Sequence, residues 1–216
     1  MGPMAVLTPT PAPDTIDPLA DIDPETFASQ TPLVLPGCTW EQYQALDTAF
    51  EGRKGVRLRF LHGCIEIMFP TSLNHERRKS HIGCLVEAWC LVRNIEFFIN
   101  GETTMEKEGE AAGAPDESYM FGEEKEWPDL VIEVALTSGG LSKRAFYKQF
   151  SVPEIWIWRR DRLEVHQFDP EHGEYVTADE SSSLAGIPMA DVEECARLES
   201  ASQAIREFRK RITERP

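Results

Sequence analysis

The chain has 216 residues, which is enough for one domain with a sizeable core plus extensions. Hydrophobic residues make up 41% and charged residues 27%, as in a globular protein, and no apolar run approaches the ~18 residues of a membrane span. The formal net charge of -15 argues against a broad basic surface for nucleic acid, although basic residues cluster locally at 77–79, 143–148 and 159–162. The start of the chain lacks the features of a secretory signal, and the five cysteines include no CxxC pair. We therefore expect a cytoplasmic protein without a disulfide framework.

The N-terminal residues 1–36 differ in composition from the rest of the chain. They contain eight of the fifteen prolines and five acidic residues, and the first basic residue is Arg53. Such a segment buries little apolar surface, so it predicts a disordered or extended arm. We expect one folded domain over 37–190 and a charged C-terminal helix over 191–216.

The first half of the folded part predicts a helix, a hairpin and a second helix. Thr39 is the expected N-cap of the first helix, with apolar residues at helical spacing after it. Alternation over 56–60 and 65–69, on either side of His62-Gly63, predicts a β-hairpin. An apolar stripe that includes Ile82, Leu85 and Trp89 predicts a long helix over about 74–92.

The second half predicts mostly strands. Short strands are expected at 96–99, 103–107 and 115–121, with a loop at 108–114. Residues 130–136 are almost continuously apolar, which is typical of a central buried strand. A short helix at 141–150, strands at 154–158 and 163–168, and a helical tail at 191–212 complete the chain. The order predicts an α/β fold with a mixed sheet and flanking helices.

Glu133 is the most informative single residue because it interrupts the apolar run 130–136. Burying an unpaired carboxylate costs several kcal/mol, so a strand this apolar would not keep one without a partner. The partner is a metal ion or a Lys or Arg side chain. The alternatives are a structural ion pair or a position at an edge where the carboxylate reaches water.

Asp116 is the expected second carboxylate of the site. Two adjacent antiparallel strands would bring it and Glu133 to one end of the sheet, where their mutual repulsion favours a bound cation such as Mg²⁺. Asp129 also follows a proline, but it would lie about 13 Å from Glu133 along the same strand, too far to share one metal. We interpret Asp129 as the residue with which that strand begins.

Three further residues are candidates on weaker grounds. Lys143 begins the short helix after the Glu133 strand and could stabilise charge developing on a phosphate, although a single lysine is more often a solvated surface residue. Glu76 in the first turn of the long helix is a candidate third carboxylate, or it complements the helix dipole. His75 shares a helical face with Ile82 and is expected to be buried and hydrogen-bonded. Glu66 on the hairpin is either another candidate carboxylate or faces solvent.

The common motifs of other enzyme classes are absent from the sequence. We find no GxxxxGK(S/T), no GxGxxG before a helix, no GxSxG and no HExxH. This removes the usual signatures of nucleotide binding, hydride transfer, esterases and zinc proteases.

Several short stretches occur together in one order. They are Ile65-Glu66-Ile67-Met68, His75-Glu76, Gly101-Glu102-Thr103-Thr104, Pro115-Asp116-Glu117, the run 128–134, the run 137–140, Lys143, Tyr147 and Val152-Pro153-Glu154-Ile155-Trp156. In this combination the chain resembles the Uma-two family of endonucleases, in its cyanobacterial-type branch, from about residue 38 to 168.

The resemblance implies a restriction-endonuclease-like core of the PD-(D/E)XK kind and a Mg²⁺- or Mn²⁺-dependent activity on DNA. Asp116 and Glu133 would match the metal-binding acidic residues, and Glu76 a further metal-binding and catalytic glutamate. Ala135 stands where the superfamily has a lysine two residues after the acidic residue. The resemblance implies that a lysine on the following helix substitutes for it, and in this chain that residue is Lys143. Many members carry a glutamate before the hairpin turn, where this chain offers Arg59.

Two functional hypotheses follow. The first is a metal-dependent endonuclease that uses Asp116, Glu133 and Lys143, and a homodimer is one expected arrangement because nucleases that cut both strands are often dimers. The second is a non-catalytic binding or assembly protein on the same fold, which the net charge of -15 favours.

Overall fold

The computed structural model describes residues 32–52, 55–69, 72–135 and 140–214. Most of the predicted arm, residues 1–31, lies outside these ranges, as do residues 136–139. The strands of the described part are β1 (Leu33–Pro36), β2 (Arg57–Leu61), β3 (Cys64–Met68), β4 (Phe97–Ile99), β5 (Met105–Lys107), β6 (Ala111–Gly113), β7 (Glu117–Phe121), β8 (Leu130–Ala135), β9 (Glu154–Arg159), β10 (Arg162–Asp169) and β11 (Glu174–Ala178). The helices are α1 (Trp40–Phe50), α2 (Leu73–Arg93), α3 (Lys143–Lys148), α4 (Met189–Ala196) and α5 (Ala201–Glu214). Within these ranges no helix combines the length and the apolar character needed to cross a membrane.

The first sheet has five strands in the order β1-β3-β2-β6-β5, and all its pairs are antiparallel. The predicted hairpin is confirmed as β2 and β3, with Leu61 opposite Cys64 across the turn. His62 and Gly63 have φ values of 43° and 80°, the left-handed conformations that a two-residue hairpin turn requires. The predicted N-cap of α1 is also confirmed, because the Thr39 hydroxyl accepts from Gln42 N at 3.3 Å.

Two strands of this sheet differ from the prediction. Leu33–Pro36, expected to belong to the arm, forms the edge strand β1, where a terminal proline costs no ladder hydrogen bond. Ala111–Gly113, expected to be loop, forms β6 between β2 and β5. Alanine and glycine have low strand propensity, and it is the pairing on both sides that makes this segment a strand.

The second sheet has six strands in the order β11-β10-β9-β8-β7-β4. β7 and β8 are antiparallel, whereas β8 and β9 are parallel, with α3 in the connection between them. A parallel pair needs such a crossover, and it makes this sheet a mixed one. The predicted α/β fold class is therefore confirmed, with two sheets where one was expected.

The alternation of side chains along β8 divides the core into two layers. Leu130 and Ile132 pack with α2, α4 and α5 in one cluster, whereas Val131 packs with α3 in another. Glu133 shares the face of Val131, because alternate residues of a strand point the same way. The first sheet covers this second face, so Glu133 lies between the two sheets.

The C-terminal segment forms two helices where the sequence predicts one. Arg197 to Ser200 separate α4 from α5. Ala204, Phe208 and Ile212 of α5 are buried in the same cluster as Trp89 of α2. The boundary expected at residue 190 therefore separates regions that differ in charge but share one core.

Candidate active site

Glu133 lies near the end of β8, and its side chain is only 2% exposed. Oε1 accepts hydrogen bonds from Arg59 Nη2 at 2.8 Å and from the Tyr147 hydroxyl. Oε2 lies 3.1 Å from Lys143 Nζ. Of the partners considered for this buried carboxylate, the structure therefore shows two cations, a guanidinium and an ammonium.

Asp116 immediately precedes β7. Because Glu117 pairs with Ile132 across the antiparallel β7–β8 ladder, Asp116 reaches the same end of the sheet as Glu133. The backbone N–H of Val134 donates to Asp116 Oδ2 at 2.8 Å. The two carboxylates are thus placed together as their spacing in the sequence predicts; their catalytic role remains a prediction.

Two basic side chains hold the Asp116 carboxylate. Arg57 Nη1 donates to Oδ1 at 2.7 Å, and His75 Nε2 lies 3.1 Å from Oδ2. Burial alone would raise the pKa of Asp116, but His75, Arg57 and Lys143 outweigh it and hold the pKa well below its ordinary range. The carboxylate is ionised throughout the neutral pH range, so its contribution to stability is lost only in strong acid.

Arg59 and Glu66 form a second buried ion pair, beside the Arg59–Glu133 pair. They are opposite each other on β2 and β3, each side chain is 1% exposed, and Arg59 Nη1 lies 3.6 Å from Glu66 Oε2. Glu66 Oε1 accepts from Leu141 N at 2.9 Å. The solvent-facing alternative for Glu66 is therefore wrong, because the first sheet packs this face of the hairpin against the second sheet.

The start of α2 supplies His75 and Glu76. The Ser72 hydroxyl caps the helix by accepting from His75 N at 3.2 Å. His75 is buried and hydrogen-bonded, as expected, whereas Glu76 is 43% exposed and lies 3.0 Å from Lys79. His75 Nδ1 lies 3.3 Å from Glu76 Oε1. The structure thus connects Glu76 to Asp116 through the imidazole and leaves its own carboxylate at the surface.

Two cations, Lys143 and Arg57, lie between solvent and the buried carboxylates Glu133 and Asp116. Lys143 is the first residue of α3, which Ser142 caps by accepting from Ala145 N at 3.3 Å. The side chains of Lys143 and Arg57 are 18% and 24% exposed, against 2% and 4% for Glu133 and Asp116. A ligand that approaches Glu133 or Asp116 from solvent therefore meets the ammonium of Lys143 or the guanidinium of Arg57 before it meets either buried carboxylate.

Asp129 lies apart from these residues. Its Oδ2 accepts from Phe121 N at 2.8 Å, and its carboxylate pairs with Lys125 Nζ at 2.7 Å. It fixes the β7–β8 connection at the start of β8, in agreement with its interpretation as the residue with which that strand begins.

Sequence reasoning missed the site roles of Arg57 and Tyr147 and gave Arg59 none. Charged residues that alternate with Leu58 and Phe60 are typical of a half-exposed strand. The signal that could have found them is Glu133 itself, since a buried carboxylate demands donors. Burial raises the pKa of Tyr147, and the Glu133 charge raises it further, so the hydroxyl stays protonated and donates.

The predicted metal ligands can be tested against these contacts. Mg²⁺ and Mn²⁺ take oxygen ligands at about 2.0–2.2 Å in near-octahedral geometry. Three of the four carboxylate oxygens of Asp116 and Glu133 already accept hydrogen bonds, and the fourth, Glu133 Oε2, lies 3.1 Å from the Lys143 ammonium. Among the described residues, no three His, Cys, Asp or Glu side chains are grouped as metal ligands. In this arrangement Asp116, Glu133 and Glu76 do not fit a divalent metal ion.

The His75–Asp116 pair gives the protein a predictable pH dependence. Burial alone would lower the pKa of His75, but the hydrogen bond and charge of Asp116 outweigh it and raise the pKa. A raised pKa stabilises the fold fully below the unfolded value of about 6.5, and that stability is lost as the pH rises through the folded pKa. We expect the Tm of the wild type to fall more steeply than that of His75→Gln above about pH 6.5.

Thermal melts followed by circular dichroism between about pH 5 and 9 measure the pH dependence of Tm for the wild type and for His75→Gln, because histidine side chains titrate within this interval. His172→Gln is the matched control, because the His172 side chain is 76% exposed and pairs only locally with Asp169 in the turn that follows β10. It should keep the wild-type slope. If the plots of Tm against pH for the wild type and His75→Gln are parallel, the His75–Asp116 interaction does not cause the pH dependence.

Comparison with known proteins identifies a family and a similar solved structure. The model of a family described as "Uma2: Putative restriction endonuclease" matches residues 40–193, well over half of the chain. Among solved structures, a crystal structure described as "a putative nuclease belonging to DUF820" from Anabaena variabilis is 15% identical, with a TM-score of 0.43. The similarity covers 79% of this chain and 98% of that one. No curated protein matches the chain.

Proposed function

Because the chain belongs to the Uma2 family of restriction-endonuclease-like proteins, we propose that it hydrolyses phosphodiester bonds in nucleic acid, with DNA as the expected substrate. The observation that supports this most directly is the pair of partly exposed cations, Lys143 and Arg57, fixed above the buried carboxylates Glu133 and Asp116. Such an arrangement binds a phosphodiester and neutralises the charge that develops as it is attacked.

Each residue has a defined part in this proposal. Lys143 and Arg57 contact the phosphate, and His75 adds a third positive charge when it is protonated. Asp116 and Glu133 hold these cations in place, so the donors are preorganised before a substrate arrives. Glu76, the exposed carboxylate at the rim, accepts a proton from the attacking water. The proposed chemistry needs no Mg²⁺ or Mn²⁺ at Asp116 or Glu133, because their oxygens already face hydrogen-bond donors or the Lys143 ammonium.

The test is cleavage of supercoiled plasmid and single-stranded DNA by the wild type and by Lys143→Met. Removing one preorganised donor to the transition state costs on the order of a hundredfold in rate, so we expect that loss for Lys143→Met. Lys148→Met is the matched control, since Lys148 lies on the same helix but pairs with Glu174 at the surface. It should cleave at the wild-type rate.

Arms with Mg²⁺, with Mn²⁺ and with EDTA show whether cleavage depends on a metal ion. If the wild type and Lys143→Met cleave equally, this site is not the catalytic one. If the wild type cleaves neither substrate in any arm, the alternative of a non-catalytic binding or assembly protein is favoured. Light scattering on the same samples tests whether the active species is a homodimer.

A further inference from the structure

Arg59 is the least expected residue of the site because a full positive charge is buried there. Its side chain is 1% exposed, and Nη2 donates both to Glu133 Oε1 at 2.8 Å and to Ala114 O at 3.0 Å. Nη1 faces Glu66. The guanidinium therefore lies between two buried carboxylates, with hydrogen bonds that fix its direction.

The packing around Arg59 keeps it in this position. Its Cζ lies 4.7 Å from the centroid of the Phe146 ring. On the other side, a Cβ at Gly113 would come within 2.9 Å of Arg59 Cγ, so the stem passes directly over the backbone of β6. An arginine is never deprotonated in a protein, so this charge is permanent. The guanidinium can neither swing away nor lose its charge to admit another cation.

A divalent ion at Glu133 would have to share that carboxylate with the guanidinium. The ion needs an oxygen lone pair at about 2 Å, and Oε1 already accepts from Arg59 and Tyr147 while Oε2 faces Lys143. Arg57, Arg59 and Lys143 match the charges of Asp116, Glu133 and Glu66, so a further divalent ion would meet no uncompensated negative charge. Electrostatics and coordination both disfavour a metal here.

We infer that Arg59 is a built-in cation that takes the place of a divalent metal ion at Glu133, and that a neutral residue at position 59 would turn the site into a metal-binding one. The inference rests on the proposed function only in taking this site as the one where a metal would act. It makes Arg59 the residue that determines whether this site can bind a metal ion.

The experiment is Mn²⁺ binding to the full chain at neutral pH, by calorimetry and by electron paramagnetic resonance. Wild type, Arg59→Gln, Arg59→Lys and the double variant Arg59→Gln/Glu133→Gln are compared. We expect Arg59→Gln to bind one Mn²⁺ at least about a hundredfold more tightly than the wild type, because a unit charge about 4 Å from a divalent ion is strongly repulsive even at an effective dielectric constant of about 20. Arg59→Lys should resemble the wild type, and the double variant should lose the site.

Arg59→Gln removes the ion-pair partner of Glu66 and leaves Glu133 with Lys143, so its thermal stability is also measured with and without Mn²⁺. Bound metal should raise the Tm of Arg59→Gln and leave that of the wild type unchanged. Should Arg59→Gln fail to fold, the comparison of the wild type with Glu133→Gln still decides. Saturable Mn²⁺ binding to the wild type that Glu133→Gln abolishes would overturn the inference, and its absence would support it.

The test of the Arg59 inference and the test of the proposed function can fail separately. A wild type that cleaves DNA only with Mg²⁺ bound at Glu133 keeps the proposed function and overturns the role of Arg59. A wild type that neither cleaves DNA nor binds Mn²⁺, with a metal site appearing in Arg59→Gln, overturns the proposed function and keeps the role of Arg59.

Discussion

Replacing Glu133 with alanine is expected to lower the free energy of unfolding by about 4 kcal/mol, within the range for breaking a buried ion pair by removing one partner. The change leaves the buried guanidinium of Arg59 with the carbonyl of Ala114 as a neutral acceptor and Glu66, at 3.6 Å, as its ion-pair partner. It also removes the acceptor of the Tyr147 hydroxyl, which is fully buried. Urea unfolding followed by circular dichroism measures the loss.

The control for this prediction is Glu174→Ala. Glu174 also lies on a strand and pairs with a lysine, Lys148, but its side chain is 67% exposed. Exposed pairs contribute about 0–1 kcal/mol, so this variant should unfold close to the wild-type midpoint. Equal losses in the two variants would show that Glu133 is not the neutralising partner that its contacts indicate.

Replacing Glu154 with alanine is expected to cost about 3 kcal/mol for a different reason, the loss of several hydrogen bonds to one buried charged acceptor. Glu154 begins β9 and has no exposed surface. Its Oε1 accepts from Trp156 Nε1 and the Ser181 hydroxyl, and its Oε2 accepts from the backbone N–H groups of Ser182 and Ser183. The carboxylate thereby ties the segment after β11 to the second sheet.

Glu154→Gln keeps one acceptor oxygen and should lose less stability than Glu154→Ala. Glu164→Ala is the matched control on the neighbouring strand β10, because the Glu164 side chain is 42% exposed and its carboxylate lies 3.4 Å from His166, whose pKa burial lowers. It should change stability by less than about 1 kcal/mol. Thermal melts monitored by tryptophan fluorescence measure all three variants, and a Glu154→Ala protein as stable as Glu164→Ala would contradict the prediction.

Sequence reasoning located the carboxylates of the site better than their partners. The burial of Glu133 followed from the apolar run around it, and the approach of Asp116 followed from two adjacent strands. Arg57 and Arg59 were not predicted as partners, because alternation along a hairpin says which residues share a face but not whether that face is covered. The first sheet covers it, and that packing depends on contacts between segments far apart in the sequence.

One strand that the sequence did not predict, β6, owes its conformation to its neighbours. Ala111–Gly113 carries no side chain larger than a methyl group and becomes a strand because β2 and β5 pair with it on both sides. Its small residues also leave the space through which the stem of Arg59 passes. The strand propensities of residues 111–113 cannot predict β6, because its formation depends on β2, β5 and the Arg59 side chain.

The position of α5 matters for any attempt to shorten the chain. The family match ends at residue 193, inside α4, whereas Phe208 and Ile212 belong to the core cluster around Trp89. A chain that stops at the end of the match would leave the apolar surface of α2 open to water. Exposed apolar patches of this kind promote self-association, so the shorter protein is expected to aggregate during purification. The smallest soluble fragment should therefore extend through α5 to about residue 214.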